Sequence, residues 1–127
     1  MGLPSNSCAE PFISHSAKDT RLKEFINQAF ATTKVEAKYE EIEAILSGRR
    51  SAAQIAADIA RSNAVFILLG ENVEQLRHTQ NWVTWESGVG AAVNKEIWVF
   101  EAFEDGAKLS VAIPHINHHV CFTYTDP

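Results

Sequence analysis

The sequence predicts an α/β domain built on a doubly wound, parallel sheet. Three observations predict it. Short apolar runs alternate with segments whose apolar residues recur at helical spacing, the order expected of strands and crossover helices. One run, Ala64-Val65-Phe66-Ile67-Leu68-Leu69, is continuously apolar, as a strand covered by helices on both faces should be. The chain has 127 residues, 46% hydrophobic and 21% charged. That is one domain's worth, able to build a core without disulfide or metal staples.

The elements follow in order. Residues 1–10 read as a flexible N-terminal lead-in and 11–127 as the domain. Phe12-Ile13 followed by Ser14-His15 reads as a short strand with a polar C-terminal end. Ser16-Ala17-Lys18-Asp19 fits a capping box, Ser16 serving the first free N–H groups and Asp19 reaching back. Leu22, Phe25, Ile26, Ala29 and Phe30 then repeat with helical spacing. Lys34 to Tyr39 reads as a second short strand. Tyr39, Ile42, Ile45 and Leu46 mark a helix that Ser47-Gly48 stops, and the acidic run Glu40, Glu41, Glu43 reads as its solvated face. Ser51 can cap the next helix, which carries Ile55, Ala56, Ile59 and Ala60.

The apolar strand 64–69 ends at Gly70, and Gly70 to Gln80 reads as a polar loop. Asn81 is placed as the cap of a helix holding Trp82, Trp85, Glu86, Val89 and Val93. Ile97 to Phe100 reads as a buried strand, residues 104–118 as irregular, and Val120 to Tyr124 as a last strand. The alternation predicts a flavodoxin-like sheet of five parallel strands in the order 2-1-3-4-5, with helices on both faces. No helical pattern follows the fifth strand, so the expectation is a domain lacking the final helix that such folds usually carry.

Composition excludes several function classes. A net charge of -5 argues against nucleic acid, whose phosphates want a basic face. Cys8 and Cys121 make no disulfide framework. No secretory leader pattern opens the chain, Asn6 stands where a myristoylation signal wants Ser or Thr, and no apolar run could span a membrane. The expected address is the cytoplasm, without membrane partners. His115, His118, His119 and Cys121 cluster near the end, but their spacing matches no well-known metal site, and no metal is expected.

In open α/β sheets ligands bind beyond the C-terminal ends of the strands, where the strand order reverses. Here that point lies between the first and third strands. Ser14, His15 and Ser16 stand on one side, and Gly70, Glu71 and Asn72 on the other. The helix expected from Asn81 begins at the same end. Trp82 and Glu86, four apart, share one face of its first two turns. A carboxylate beside an aromatic plane suits cleavage of an N-glycosidic bond through an oxocarbenium-like state. Taken alone, Glu86 reads as an ordinary helix residue, and both Trp82 and Trp85 as packing residues.

Three segments change that balance. Pro11-Phe12-Ile13-Ser14-His15-Ser16-Ala17-Lys18-Asp19, the run Ser62 to Leu69, and Trp82-Val83-Thr84-Trp85-Glu86 followed by Ser87-Gly88-Val89-Gly90 together resemble the Toll/interleukin-1 receptor (TIR) family in its bacterial and archaeal branch. The resemblance covers roughly residues 10–104. It implies an enzyme of immunity signalling that cleaves NAD to nicotinamide and ADP-ribose or a cyclic isomer. NAD is then the substrate, and no separate cofactor is implied. Glu86, in a WxxxE pattern, takes the place of the catalytic glutamate, and Trp82 that of the family's tryptophan.

With that pattern, Ser14, His15, Ser16, Asp19, Gly70 and Trp82 become candidate substrate contacts. Ser16 and Asp19 can cap a helix and still present free N–H groups to a phosphate. The family's mobile loop would fall within residues 40–50, with Arg49 and Arg50 as phosphate contacts. The resemblance also implies self-association through TIR–TIR contacts. Two alternatives stay open: a non-catalytic TIR scaffold working through homotypic assembly, and a nucleoside-processing enzyme of the deoxyribosyltransferase kind.

Overall fold

A computed structural model describes residues 9–33, 35–70, 77–102, 113 and 116–122. The elements are β1 (Phe12–His15), α1 (Thr20–Phe30), β2 (Lys38–Glu41), α2 (Ile42–Leu46), α3 (Ala52–Arg61), β3 (Ala64–Leu69), α4 (Arg77–Ala92), β4 (Glu96–Ala102) and β5 (His118–Phe122). The five strands form one sheet in the order β2-β1-β3-β4-β5, and every pairing is parallel. This is the flavodoxin-like arrangement that the alternation of patterns predicts. Among the described residues no helix is long and apolar enough to cross a membrane.

Side chains on a strand alternate between faces, and β1 shows what each face meets. Phe12 joins a core with Val65, Ile67, Leu69, Ile97 and Val99 from the sheet, Ile42 from α2, Ile55 and Ile59 from α3, and Val83 from α4. Ile13 joins the opposite core with Leu68 and with Leu22 and Ile26 from α1. Helices therefore cover both faces, α1 on one side and α2 to α4 on the other. α4 comes close to the sheet because position 90 is glycine. A Cβ on Gly90 would lie 2.7 Å from Ile97 Cδ1 and 2.9 Å from Val65 Cγ2. Gly90 stands four residues beyond Glu86 and eight beyond Trp82, on the same helical stripe. Close approach at one end of the stripe carries the carboxylate down onto the sheet.

Several boundaries differ from the sequence reading, each for a local reason. α1 starts at Thr20, with Asp19 as an N-cap residue that makes no side-chain cap bond. Ser16 is not the cap; its hydroxyl donates to Glu43 Oε2 at 2.5 Å and accepts from the Lys18 N–H. The periodicity of α1 is also narrower than it reads, since Phe25 is exposed. β2 is Lys38–Glu41 rather than 34–39, because its ladder with β1 runs from Phe12↔Lys38 to His15↔Glu41. Glu40 and Glu41 are therefore strand residues and not a solvated helix face, and Glu40 is buried. α2 follows at once at Ile42–Leu46, where the helical repeat predicts a helix, and it lies within the span 40–50 in which the family's loop would fall.

Ser51 caps α3 as expected. Its hydroxyl accepts from the Gln54 N–H at 3.2 Å, and Gln54 Oε1 accepts from the Ser51 N–H at 2.8 Å. α4 begins at Arg77, not Asn81, so Gln80 and Asn81 lie inside the helix. β4 runs on through Glu101 and Ala102, and β5 begins at His118, two residues before the expected Val120. Ala9 and Glu10, at the end of the expected lead-in, bond to the body of the domain. Ala9 bridges Val35, and Glu10 O accepts from the Asn63 N–H at 3.0 Å. Residues 1–8 and 103–112 lie outside the described residues, as do 123–127 at the end of the expected fifth strand.

Candidate functional site

The site is built where β1, β2 and α4 meet. Ser14 lies on the face of β1 that meets α2 to α4, and the ladder sets it beside Glu40 of β2 and Ile67 of β3. Ser14 and Glu40 are therefore same-face neighbours on adjacent strands. Glu86 comes down from α4 onto this pair. It is the tenth residue of that helix and so sits in its third turn, deeper than a start at Asn81 would put it. The free N–H groups of the helix start are consequently remote from the carboxylate.

Glu86 is fully buried. Ser14 Oγ donates to Glu86 Oε1 at 2.5 Å, while Glu86 Oε2 is buried without a hydrogen-bond partner among the described residues. The Trp82 indole Nε1 is likewise buried and unpartnered. It lies close enough to favour charge on Glu86, though less than Ser14 does. Among the described residues no cation compensates the carboxylate directly. Burial therefore dominates its titration and, helped by the negative charge of Glu40, pushes Glu86 up to about 8 against the hydrogen bond from Ser14. With its titration raised to about 8, Glu86 is mostly protonated at neutral pH. Trp82 is half-buried and stacks on Trp85, with ring centroids 4.5 Å apart and planes inclined by 23°.

Behind Ser14 runs a charged ladder. Arg50 Nη2 lies 3.2 Å from Glu40 Oε1 and also pairs with Asp58, whose other oxygen takes Arg61. Burial outweighs the help from Arg50 and leaves Glu40 above the ordinary carboxylate range. In front, Glu43 closes the β1–α1 turn, accepting from Ser16 Oγ and from the Ala17 N–H at 2.7 Å. Burial pushes Glu43 up, but these bonds prevail and hold it below the ordinary range.

The residues singled out from sequence thus fall into groups. Ser14, Trp82 and Glu86 come together on one face of the sheet. Asp19 and Gly70 meet each other: a Cβ on Gly70 would stand 2.5 Å from Asp19 Cγ, so any side chain at position 70 would displace that carboxylate. His15 points to the other face, edge-on to Tyr39 with centroids 5.6 Å apart. Its Nδ1 lies 3.1 Å from Ser16 O, its Nε2 is buried without a partner, and burial lowers its pKa. It is a neutral imidazole separated from Glu86 by the sheet. Arg49 is exposed, bonded to Ser47 Oγ and 3.7 Å from Glu41, whereas Arg50 is engaged by two carboxylates. Glu71 and Asn72 lie outside the described residues.

Sequence reasoning missed Glu40, Glu43 and Glu101. Strand alternation was the available signal for Glu40, because a strand set at 38–41 turns it opposite to Tyr39. Glu101 is buried near the end of β4, and its Oε1 lies 3.0 Å from His119 Nε2. His118 stacks on Trp98, with centroids 3.9 Å apart. His115 and the Cys121 side chain lie outside the described residues. Comparison of the chain with protein-family models, curated proteins and solved structures gives no match.

Proposed function

We propose that the chain cleaves the nicotinamide–ribose bond of NAD, as a cytoplasmic glycohydrolase or cyclase. One observation carries this reading: a fully buried carboxyl, with no direct cation among the described residues, held by Ser14 beside an indole at the C-terminal end of β1. The resemblance of residues 10–104 to TIR domains supplies the substrate class.

The chemistry follows from charge. The C1′–N bond breaks, its electron pair stays on the nicotinamide nitrogen, and the ribose becomes an oxocarbenium ion. Ionised Glu86 stabilises that cation, and Trp82 offers an apolar plane to the leaving ring. Water then adds to C1′ with loss of a proton, giving ADP-ribose; attack by a nitrogen of the adenine gives a cyclic product instead. Nicotinamide leaves neutral, so no acid is needed. Glu86 must therefore lose its proton before the bond breaks. A cationic nicotinamide riboside near the carboxyl favours that loss, and so substrate binding and ionisation are coupled.

Glu86 is fully covered in the single chain. Substrate entry requires the crevice to open, which fits an enzyme that works in an assembled state. The test is nicotinamide release at high protein concentration with a crowding agent. Glu86→Gln is expected to lower it by roughly three orders of magnitude or more, the scale of losing a principal electrostatic stabiliser. Activity surviving that change removes the mechanism. kcat/KM should rise with pH through about 8, because the ionised form acts.

The same raised titration favours a second reading, since a neutral carboxyl at pH 7 can protonate the base of an ordinary nucleoside. In that case nucleosides are turned over and the profile falls through about 8. Concentration-dependent assembly with no turnover of either substrate leaves the scaffold reading.

A further inference from the structure

We propose that Arg50 is a positioning residue for Glu86: clamped between Glu40 on β2 and Asp58 on α3, it neutralises the second carboxylate beside Ser14 and so sets how readily Glu86 carries charge. The enzymatic consequence rests on the reading above; the electrostatic one does not.

The geometry places the two glutamates on either side of one serine. Glu40 is the registered neighbour of Ser14 on the adjoining strand, and Ser14 Oγ is bonded to Glu86. Glu40 is 8% exposed, so solvent does little to screen its charge from Glu86. Arg50 is the cation on that carboxylate, and it is shared with Asp58. Asp58 has a second cation in Arg61, whose side chain is 65% exposed.

Among the described residues, the groups acting on Glu86 are Ser14 from β1, Glu40 from β2 and Trp82 from its own helix. β3 contributes Ile67 and Leu69 to this face, and β4 contributes Glu101, which is bonded to His119 of β5. α2 presents Glu43, which is tied to Ser16 and Ala17. α3 presents Asp58, tied to the two arginines. Among these groups Arg50 controls the charge that reaches Glu86 through Glu40. Removing Arg50 leaves Glu40, wherever it stays ionised, without its cation. Removing the charge of Glu40 leaves Arg50 with one carboxylate fewer. The two changes therefore push the ionisation of Glu86 in opposite directions, although both break the same ion pair.

That opposition is the test. The whole chain, labelled with carbon-13 at the glutamate side-chain carboxyls, is titrated by NMR as wild type, Arg50→Gln, Glu40→Gln and Arg50→Lys. The Glu86 signal is assigned by its absence in Glu86→Gln. The Arg50→Gln midpoint is expected to move to higher pH, lowering the ionised fraction of Glu86 at pH 7 about fivefold. Glu40→Gln should move it to lower pH and raise that fraction by about as much, within the range that a neighbouring charge produces. Arg50→Lys keeps the charge and should stay near wild type.

A purely structural ion pair predicts the same direction for both neutral variants, or no movement in either. Either result overturns the proposal. If Arg50→Gln fails to fold, Glu40→Gln, the near-isosteric change, decides alone: a midpoint that does not fall refutes the assignment. The acidic limb of nicotinamide release should track these midpoints. Midpoints that split as expected, with nicotinamide release absent throughout, would sink the NAD reading and leave the role of Arg50 standing.

Discussion

Two carboxylates, Glu86 and Glu101, are buried on the same face of the sheet, and the sheet treats them differently. Glu101 stands near the end of β4, with His119 of the adjoining strand 3.0 Å away. Glu86 arrives from a helix, meets a serine on one oxygen and, among the described residues, has no hydrogen-bond partner on the other. Burial of an acid is therefore not in itself the mark of a reacting group, because a neighbour able to share a proton or a charge makes it an ordinary structural contact. The distinguishing feature of Glu86 is that, among the described residues, the charge acting on it is that of another carboxylate, Glu40. A protein that keeps such an arrangement sacrifices stability at that point, which is the usual condition of a preorganised site.

The largest effect that sharpens this contrast is on stability against pH. The folded-state titration of Glu86 is raised from 4.5 to about 8. The folded chain therefore holds the proton more tightly than the unfolded one. The resulting stabilisation is complete below about 4.5 and is lost as pH climbs to about 8. At about 1.4 kcal/mol per unit, the loss is at most on the order of 5 kcal/mol. Glu86→Gln, which carries no charge to bury, should flatten this part of the profile and exceed wild type in stability near pH 9. Denaturant unfolding from pH 5 to 9 measures it. Parallel profiles for the two proteins would mean that Glu86 is compensated after all, and the contrast with Glu101 would collapse.

Next in size is the other member of the comparison. His119→Ala withdraws the imidazole from a carboxylate that is 1% exposed and should cost about 3 kcal/mol, the scale of leaving a buried acid without its partner. Nicotinamide release per folded molecule should be unchanged. Urea unfolding and the release assay, run on the same preparation, check both halves. A variant that unfolds like wild type but has lost turnover would make Glu101 and His119 part of the chemistry, and the two carboxylates would no longer differ in kind.

The contrast also explains what was legible in the sequence. The sheet order could be read because each strand is an apolar run between helical repeats, and Ala64 to Leu69 could hardly be anything but a central strand. Ser14 and Glu86 could be read because one ends a strand and the other follows an indole at helical spacing. Glu40 and Glu101 are hard to read for a shared reason: each lies beyond the end expected of its strand, and a glutamate there looks solvated until the strand's bounds show that alternation turns it inward. The acidic composition around Glu40 reinforced the wrong reading. The start of α4 was missed because Arg77 to Gln80 is polar, and propensity there gives way to tertiary packing: Thr79 is buried. The role of Arg50 depends on a partner eight residues along the chain and another on β2, which no local pattern announces.

The smallest predicted effect separates a bond to a neutral acid from a bond to a charged one. Ser14→Ala removes the hydroxyl that donates to Glu86 at 2.5 Å. At pH 6 Glu86 is protonated, so the loss is that of a hydrogen bond between neutral groups, about 1 kcal/mol. At pH 9 Glu86 is ionised, and the same hydroxyl is a charge-assisted donor worth about twice as much. The cost of Ser14→Ala should therefore grow as pH rises through about 8, whereas in a Glu86→Gln background it should be small and level. Unfolding of the single and double variants at the two pH values measures the coupling directly. A level cost in both backgrounds would show that Ser14 serves the strand rather than the carboxylate, and the two buried acids would then have to be told apart by Glu40 alone.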